Sequence, residues 1–530
     1  MKKLFSKIMA GVLCALACAG LAACGGIGGG SKTLSEYQTT DYTAGTVAFD
    51  DMGTYEGEVR IGNDCNMNAV ENGMIISPYL TCKVNGKDVD VYASRCWWGA
   101  HSYSFIDVTS EGDICLEVEL TLAKTRKKVV VLPTYKGVEA TLDGKTVTTT
   151  VTDTGSYSFA FDDKEDRGFT LIVKRAPKLE VPEGYTVKEF EPGTYTAAQT
   201  TFTEENTVYY FKKGNYEIEG ISLPSNSILY GDYAQFTMVG QGGTALSSSY
   251  TENVQVLGRF VFDFSELSWS DGKNTYSFNH VQDFVFSGIL SISSTSWTFK
   301  FDGCKNGEIT NLTMFGYRTW TDGVMIANGY DIKVTDSFMR TGDDAFEVKA
   351  TSGPSDGILF EDCHAWNDKA VAFGVIYEMN AEVKNVTFNN CSVGFNMASW
   401  NETRAAASVC MCDYEKGLTN SNITFSNFEV YYSSCTSMSL CIHSGTLDTI
   451  KFENFNVIRM PYAEHSVVLR EYVSYITNDK PGENRYCEMK NIYFNNVIVE
   501  GNALTLEAIE GYDCVESLYI DNTLVYGKAD

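Results

Sequence analysis

Three aspartates gather in a repetitive stretch of this chain: Asp322 in Trp320-Thr321-Asp322-Gly323, and Asp343 with Asp344 in Thr341-Gly342-Asp343-Asp344-Ala345-Phe346. Asp322 precedes the pair by 21 and 22 residues, about one turn of a coiled β architecture. Carboxylates brought together without a basic neighbour repel one another and raise at least one pKa. A site can then keep a proton for a general acid while its other acids activate water. A single Asp in a turn is ordinarily a solvated turn residue; three at one-coil spacing point to acid–base chemistry. Consecutive residues on a regular strand face opposite sides, so an irregular turn at Gly342 is needed for Asp343 and Asp344 both to reach one groove.

The elements that must position these acids repeat. An apolar residue followed two positions later by Asn, Asp or Gly recurs as Phe286/Gly288, Ile309/Asn311, Val334/Asp336, Phe360/Asp362, Phe388/Asn390, Phe425/Asn427, Phe452/Asn454, Phe494/Asn496 and Ile520/Asn522. The apolar members are 23, 25, 26, 28, 37, 27, 42 and 26 residues apart; propeller blades run longer, at about 40 to 50. One coil cannot bury its apolar face alone, whereas stacked coils share a continuous core. Asn at the corner tolerates a left-handed backbone and can hydrogen-bond its equivalents along the stack. The repeat predicts a parallel β-helix with Asn311, Asn390, Asn427, Asn454, Asn496 and Asn522 at equivalent corners. A second apolar run per coil, from Val324–Ala327 and Ala345–Val348 on to Leu504–Leu506, predicts a sheet whose outward side chains line a groove. Adjacent rungs stand about 4.8 Å apart, so Asp322 would lie across from Asp343 and Asp344.

Composition agrees with an all-β chain: 46 Gly, 31 Tyr, 30 Phe and only 9 Pro in 530 residues. Residues 42–177 read as a β-sandwich domain, with strand patterns at Asp88–Tyr92, Leu116–Leu120, Lys128–Leu132 and Phe169–Val173 and turns at Asn85-Gly86 and Asp143-Gly144. It would brace the β-helix or, as Trp97 and Trp98 hint, bind sugar. Lys178–Glu191 reads as the crossover into a catalytic domain at 178–530.

Lys2, Lys3 and Lys7, the apolar run Ile8–Ala22 and Leu21-Ala22-Ala23-Cys24 read as a signal peptide at 1–23. The last four residues resemble a bacterial lipobox, which implies lipidation at Cys24, a flexible tether at 24–41 and a surface location; secretion with cleavage elsewhere is the alternative. Loss of residues 1–23 removes three lysines and no acids, taking the formal charge from −27 to −30. Such a surface repels nucleic acid and leaves the lipid anchor as the membrane contact. Of 16 cysteines, 13 remain beyond Cys24, so at least one thiol is unpaired. None has zinc spacing, and Cys410 and Cys412 read as core thiols.

At Thr321-Asp322-Gly323 and Gly342-Asp343-Asp344 the chain resembles the β-helix clan of polygalacturonases (glycoside hydrolase family 28) and dextranases with isopullulanase (family 49). The detailed match covers about Trp320–Val393, and a preceding sandwich resembles the dextranase domain order. The resemblance implies a right-handed helix and an inverting hydrolase needing no cofactor or metal, in which Asp343 protonates the leaving oxygen while Asp322 and Asp344 activate water. Polygalacturonases carry Gly-His-Gly one coil later. Aligned at Gly374, this chain has Lys369 and Ala370 there, and His364 lies out of register. In place of their uronate-holding Arg-Ile-Lys stands Thr403-Arg404-Ala405, with Arg404 its one basic residue. These departures, with the acidic surface, favour a neutral, dextran-like α-glucan over a uronate.

Further groove candidates are Trp320, Glu347, Lys349, Trp366, Lys369, Tyr377, Glu378 and Arg404, with Trp400, His443 and Arg470 weaker. Glu347 and Lys349 should share a strand face with Ala345, and the tryptophans could stack on sugar C–H surfaces. The expected partner is a polysaccharide bound by a monomer. Two other classes stay open: a β-helix lyase, with Lys349 or Lys369 as base, and a non-catalytic surface adhesin.

Overall fold

The computed structural model describes residues 179–528 except 269–270, 316–319, 368, 397–404, 414–416, 434, 461–462 and 472–486, together with separate strands between residues 48 and 175. From Thr186 onward the chain is a parallel β-helix. One strand per coil enters an 11-stranded sheet running in sequence order from Ile221–Ser222 to Ile509–Glu510. Most coils add further strands, such as Lys305–Thr310 and Thr313–Phe315, to a 22-stranded sheet.

The repeated apolar members stack as predicted. Phe286 pairs with Ile309, and the register runs on through Val334, Phe360, Phe388, Phe425, Phe452 and Phe494 to Ile520. The rings of Phe360, Phe388, Phe425, Phe452 and Phe494 lie in stacked file, with centroids 4.9, 4.7, 5.0 and 5.2 Å apart. The predicted Asn corners all adopt positive φ, from 50° at Asn496 to 59° at Asn522. Their amides form a ladder: Asn454 Nδ2 donates to Asn427 Oδ1 at 3.0 Å, and Asn496 Nδ2 to Asn454 Oδ1 at 3.0 Å. The two large intervals, 37 and 42 residues, are absorbed between strands while the register is kept.

A second ladder accompanies the first. Three residues before each apolar member from Phe286 to Phe494 the backbone again turns left-handed, at Asp283, Asn306, Asp331, Gly357, Asn385, Asn422, Thr449 and Asn491. Asn306 Nδ2 donates to Asp283 Oδ1 at 2.9 Å, and Asn422 Nδ2 to Asn385 Oδ1 at 3.2 Å. The same spacing recurs upstream at Asn206, Asn226 and Asn253, which extends the helix toward its N-terminal end.

Two expectations change. Thr186–Phe190, read as part of the crossover, is already a strand pairing in parallel with Thr207–Phe211. The last rung of the 11-stranded sheet is Ile509–Glu510, paired with Val467 and Val468; Leu506–Ala508 forms a 3₁₀ turn instead.

Upstream strands form two five-stranded sheets, one including Leu80–Val84, Leu116–Leu122 and Thr146–Val151, the other Ser102–Ser110, Gly155–Ala160 and Gly168–Arg175. Gly168–Arg175 and Ser102–Ser110 run parallel. Gly168–Arg175 also meets the β-helix. Ile172 packs with Leu290, Phe315, Phe338, Trp366, Phe395 and Tyr432, and buried Lys174 donates through Nζ to the carbonyls of Leu312 and Asp336. The strand expected at Lys128–Leu132, Trp97, Trp98 and the leader with Cys24 lie outside the described residues.

Candidate active site

Both acid segments are corners leading into adjacent strands of the 11-stranded sheet, Val324–Ala327 and Phe346–Ala350, whose register sets Val324 opposite Phe346 and Met325 opposite Glu347. The strand before the second corner ends at Thr341 and the next begins at Phe346. Gly342 to Ala345 therefore escape strand alternation, and both acids reach the same side. Gly323 N–H donates to Asp344 O at 2.8 Å. A Cβ on Gly323 would meet Ala345 O at 2.1 Å, so this close approach of two corners requires glycine.

The three carboxylates converge. Asp322, Asp343 and Asp344 are 3%, 6% and 3% exposed, and each offers an oxygen within 4.8 Å of the other two. Among the described residues this is the one acid group close enough to hold a metal ion. The nearest oxygens therefore approach more closely than the roughly 6.5 to 9.5 Å between whole carboxyl groups of an inverting acid and base. Asp322 comes from one corner and Asp343 and Asp344 from the next, one rung or about 4.8 Å away.

Hydrogen bonds fix the corner. Val371 N–H donates to Asp344 Oδ1 at 3.0 Å, and Thr341 Oγ1 to Asp343 O at 2.7 Å. Thr321 Oγ1 accepts from Gly342 N–H at 3.3 Å. Fully buried Asn367, which sequence reasoning missed, ties the parts together. Its Nδ2 donates to Thr341 Oγ1, Asp343 O and Val371 O at 3.0, 2.5 and 3.1 Å. Its Oδ1 accepts from the N–H groups of Lys369 and Ala370 at 3.0 and 2.5 Å.

Burial, followed by the charges of Asp343 and Glu347, pushes Asp322 well above the usual carboxylate range. The expected raised acid is therefore present, in Asp322. Glu347, whose side chain is inaccessible, is pushed up to about 8 by burial, against the opposing pull of Lys349. Lys349 Nζ lies 3.2 Å from Glu347 Oε2 and 3.1 Å from Glu378 Oε2. Although burial works against its charge, Glu347, Glu378, Asp322 and Asp344 hold Lys349 protonated, well above the usual ammonium range.

The Glu347 shift predicts a pH effect with a definite sign. Between its ordinary value of 4.5 and about 8, the folded chain keeps a proton that the unfolded chain has lost, so stability falls as pH rises through that window. Glu347→Gln should flatten this slope in thermal midpoints measured from pH 5 to 8; an unchanged slope would contradict the assignment. His364, lowered to about 3 by burial, contributes the opposite trend, with stability falling as pH drops below its ordinary 6.5.

The remaining candidates divide. Glu347, Lys349 and Glu378 surround the acid cluster, but Ala345 packs into the core rather than sharing their face. Trp320 is 45% exposed beside Asp322. Lys369 is buried one coil beyond Asp343. Trp366 is not a groove residue: it lies on His364–Asn367 in the 22-stranded sheet, 1% exposed, with its ring 4.6 Å from Phe395 and against Ile172. Tyr377 is buried as well, among Val371, Ile376, Cys410 and Cys441. Its φ of 58° marks a bulge that breaks the register after Val348. Cys410 belongs to that small cluster rather than to the main core. His364 is structural, with Nδ1 2.6 Å from Ser392 Oγ. His443 is buried just past Met438–Ile442, and Arg470 pairs with Glu510 at 3.0 Å. Arg404 and Trp400 lie outside the described residues.

Sequence reasoning also missed Trp297, 47% exposed. The signal was available, since Trp297 stands two residues before strand Phe299–Asp302 as Asp322 stands two before Val324.

Residues 234–434, which include all three acids, match the family model described as Glycosyl hydrolases family 28. A polygalacturonase of Nicotiana tabacum is 27% identical over 139 residues, 24% of this chain and 34% of that protein. A polygalacturonase of Medicago sativa is 22% identical over 200 residues, 33% of this chain and 46% of that protein. The chain thus spans a third to less than half of the length of these curated relatives. The solved structure of Dex49A from Penicillium minioluteum matches in fold, with a TM-score of 0.57 at 12% identity, over 84% of this chain and 94% of that one. The resemblance first read from the acid triple, to β-helix glycoside hydrolases of the family 28 and 49 type, is borne out.

Proposed function

We propose that this chain is a β-helix glycoside hydrolase that cleaves a polysaccharide laid along the groove sheet, with Asp343 protonating the leaving oxygen and Asp322 and Asp344 activating water. The observation that carries the reading is the convergence of three buried carboxylates within 4.8 Å at adjacent corners. Burial favours a proton on Asp322, which must pass to Asp343 in the reacting complex for these roles, and Val371 N–H steadies Asp344. The resemblance implies inversion, which the anomeric form of the first-formed product reads directly. Lys349, held protonated by acids, is poorly suited to the proton abstraction that a lyase needs.

The substrate favoured here is a neutral, dextran-like α-glucan. The chain is strongly acidic, its polygalacturonase signature departs at Lys369 and Ala370, and Lys349 is already matched by Glu347 and Glu378. A second reading, a pectin hydrolase, draws on the polygalacturonase relatives. Thin-layer chromatography of digests should show oligosaccharides released from neutral glucans and none from polygalacturonate; the reverse pattern would select the second reading. The two upstream sheets would form a sandwich that braces the back of the helix through Ile172 and Lys174, and Cys24 would carry the lipid that holds a monomeric enzyme at the bacterial surface.

A further inference from the structure

Trp297 occupies the rung position of the catalytic acids one coil earlier. Phe299 pairs with Val324, and Val324 with Phe346, so Trp297, Asp322 and Asp344 form one column at the mouths of successive strands. Thr298 N–H donates to Asp322 O at 3.0 Å, locking the two corners together. One rung is about 4.8 Å, close to the length of one glycosyl unit. The Trp297 ring is half-exposed, with Lys300 Nζ 5.4 Å and Lys349 Nζ 5.8 Å from its centroid.

Both cations are already matched by acids. Lys349 is flanked by Glu347 and Glu378, and Lys300 Nζ lies 3.8 Å from Asp302 Oδ2. An incoming uronate would meet the carboxylates of Glu378, Asp302 and Asp344 around two lysines, with the buried carboxyls of Glu347 and Asp322 beside them. An uncharged pyranose faces no such repulsion. It can lay its C–H surface on the indole and offer hydroxyls to Glu378, whose side chain is 39% exposed.

We propose that Trp297 is the stacking platform of a glycosyl subsite adjoining the acid triple, and that the carboxyl groups paired with its neighbouring lysines restrict this subsite to an uncharged pyranose. The proposal rests on the hydrolase reading for the identity of its ligand. Its test does not require turnover, because isothermal titration calorimetry reports binding in the full-length chain and in every variant. Isomalto-, malto- and nigero-oligosaccharides would be titrated against hexagalacturonate.

A neutral series should bind with measurable heat. Trp297→Ala should weaken its binding about 10-fold, a stacking-sized loss, and Trp297→Phe should restore most of the affinity. Glu378→Gln, which leaves Lys349 undermatched, should strengthen hexagalacturonate binding. Parental-strength binding in Trp297→Ala, tighter binding of hexagalacturonate than of every neutral series by the parental chain, or binding of no probe would each overturn the proposal. Trp297-dependent binding by a chain that cleaves no glycan would instead leave the subsite standing and remove the hydrolase reading.

Discussion

Asp343→Asn should lower turnover on the natural polysaccharide by about 10²- to 10⁴-fold, the usual contribution of a general acid, while sparing a glycoside whose leaving group departs without protonation. Its backbone carbonyl accepts from Thr341 Oγ1 and Asn367 Nδ2, contacts that an isosteric amide retains, so folding should survive. Asp322→Asn and Asp344→Asn should impair both substrates, because each bond cleavage needs activated water. The comparison also locates the proton in the reacting complex. Burial raises Asp322; if Asp322→Asn rather than Asp343→Asn is rescued by the good leaving group, the two acids exchange roles.

Asn367→Ala should cost stability and activity together. The fully buried amide makes five hydrogen bonds. Asp343 O and Val371 O keep other donors, Thr341 Oγ1 and Ala345 N–H. Truncation thus chiefly orphans the N–H groups of Lys369 and Ala370, each worth about 1 to 3 kcal/mol when buried without a partner. A loss of roughly 2 to 6 kcal/mol in urea unfolding is expected. The Asp343 corner would loosen with it, lowering kcat in the fraction that remains folded. A variant with parental stability and parental kcat would show that the corner is held elsewhere.

The β-helix was legible because stacking imposes a fixed phase on its apolar members: Phe388, Phe425 and Phe452 keep one register across intervals of 37 and 27 residues. The acid triple was legible for the same reason, since its corners belong to that repeat. Other features depended on which face a strand presents and what covers it. Trp366 looks like a groove aromatic in sequence, yet its strand belongs to the 22-stranded sheet, where Ile172 from far upstream packs against the same apolar cluster. Tyr377 was misplaced by a bulge that no residue pattern announces. Asn367 carries no motif, because its role comes from lying where three turns of chain meet.

The most direct test of the central claim is the release of new reducing ends from polysaccharide by the full-length chain, followed together with ultraviolet absorbance. A hydrolase using Asp322, Asp343 and Asp344 should generate reducing ends without unsaturated, absorbing products, and the Asp343→Asn chain should generate about 10²- to 10⁴-fold fewer. Absorbing products would identify a lyase. Undiminished release by variants at all three positions would reduce the acid triple to a turn motif and contradict the account.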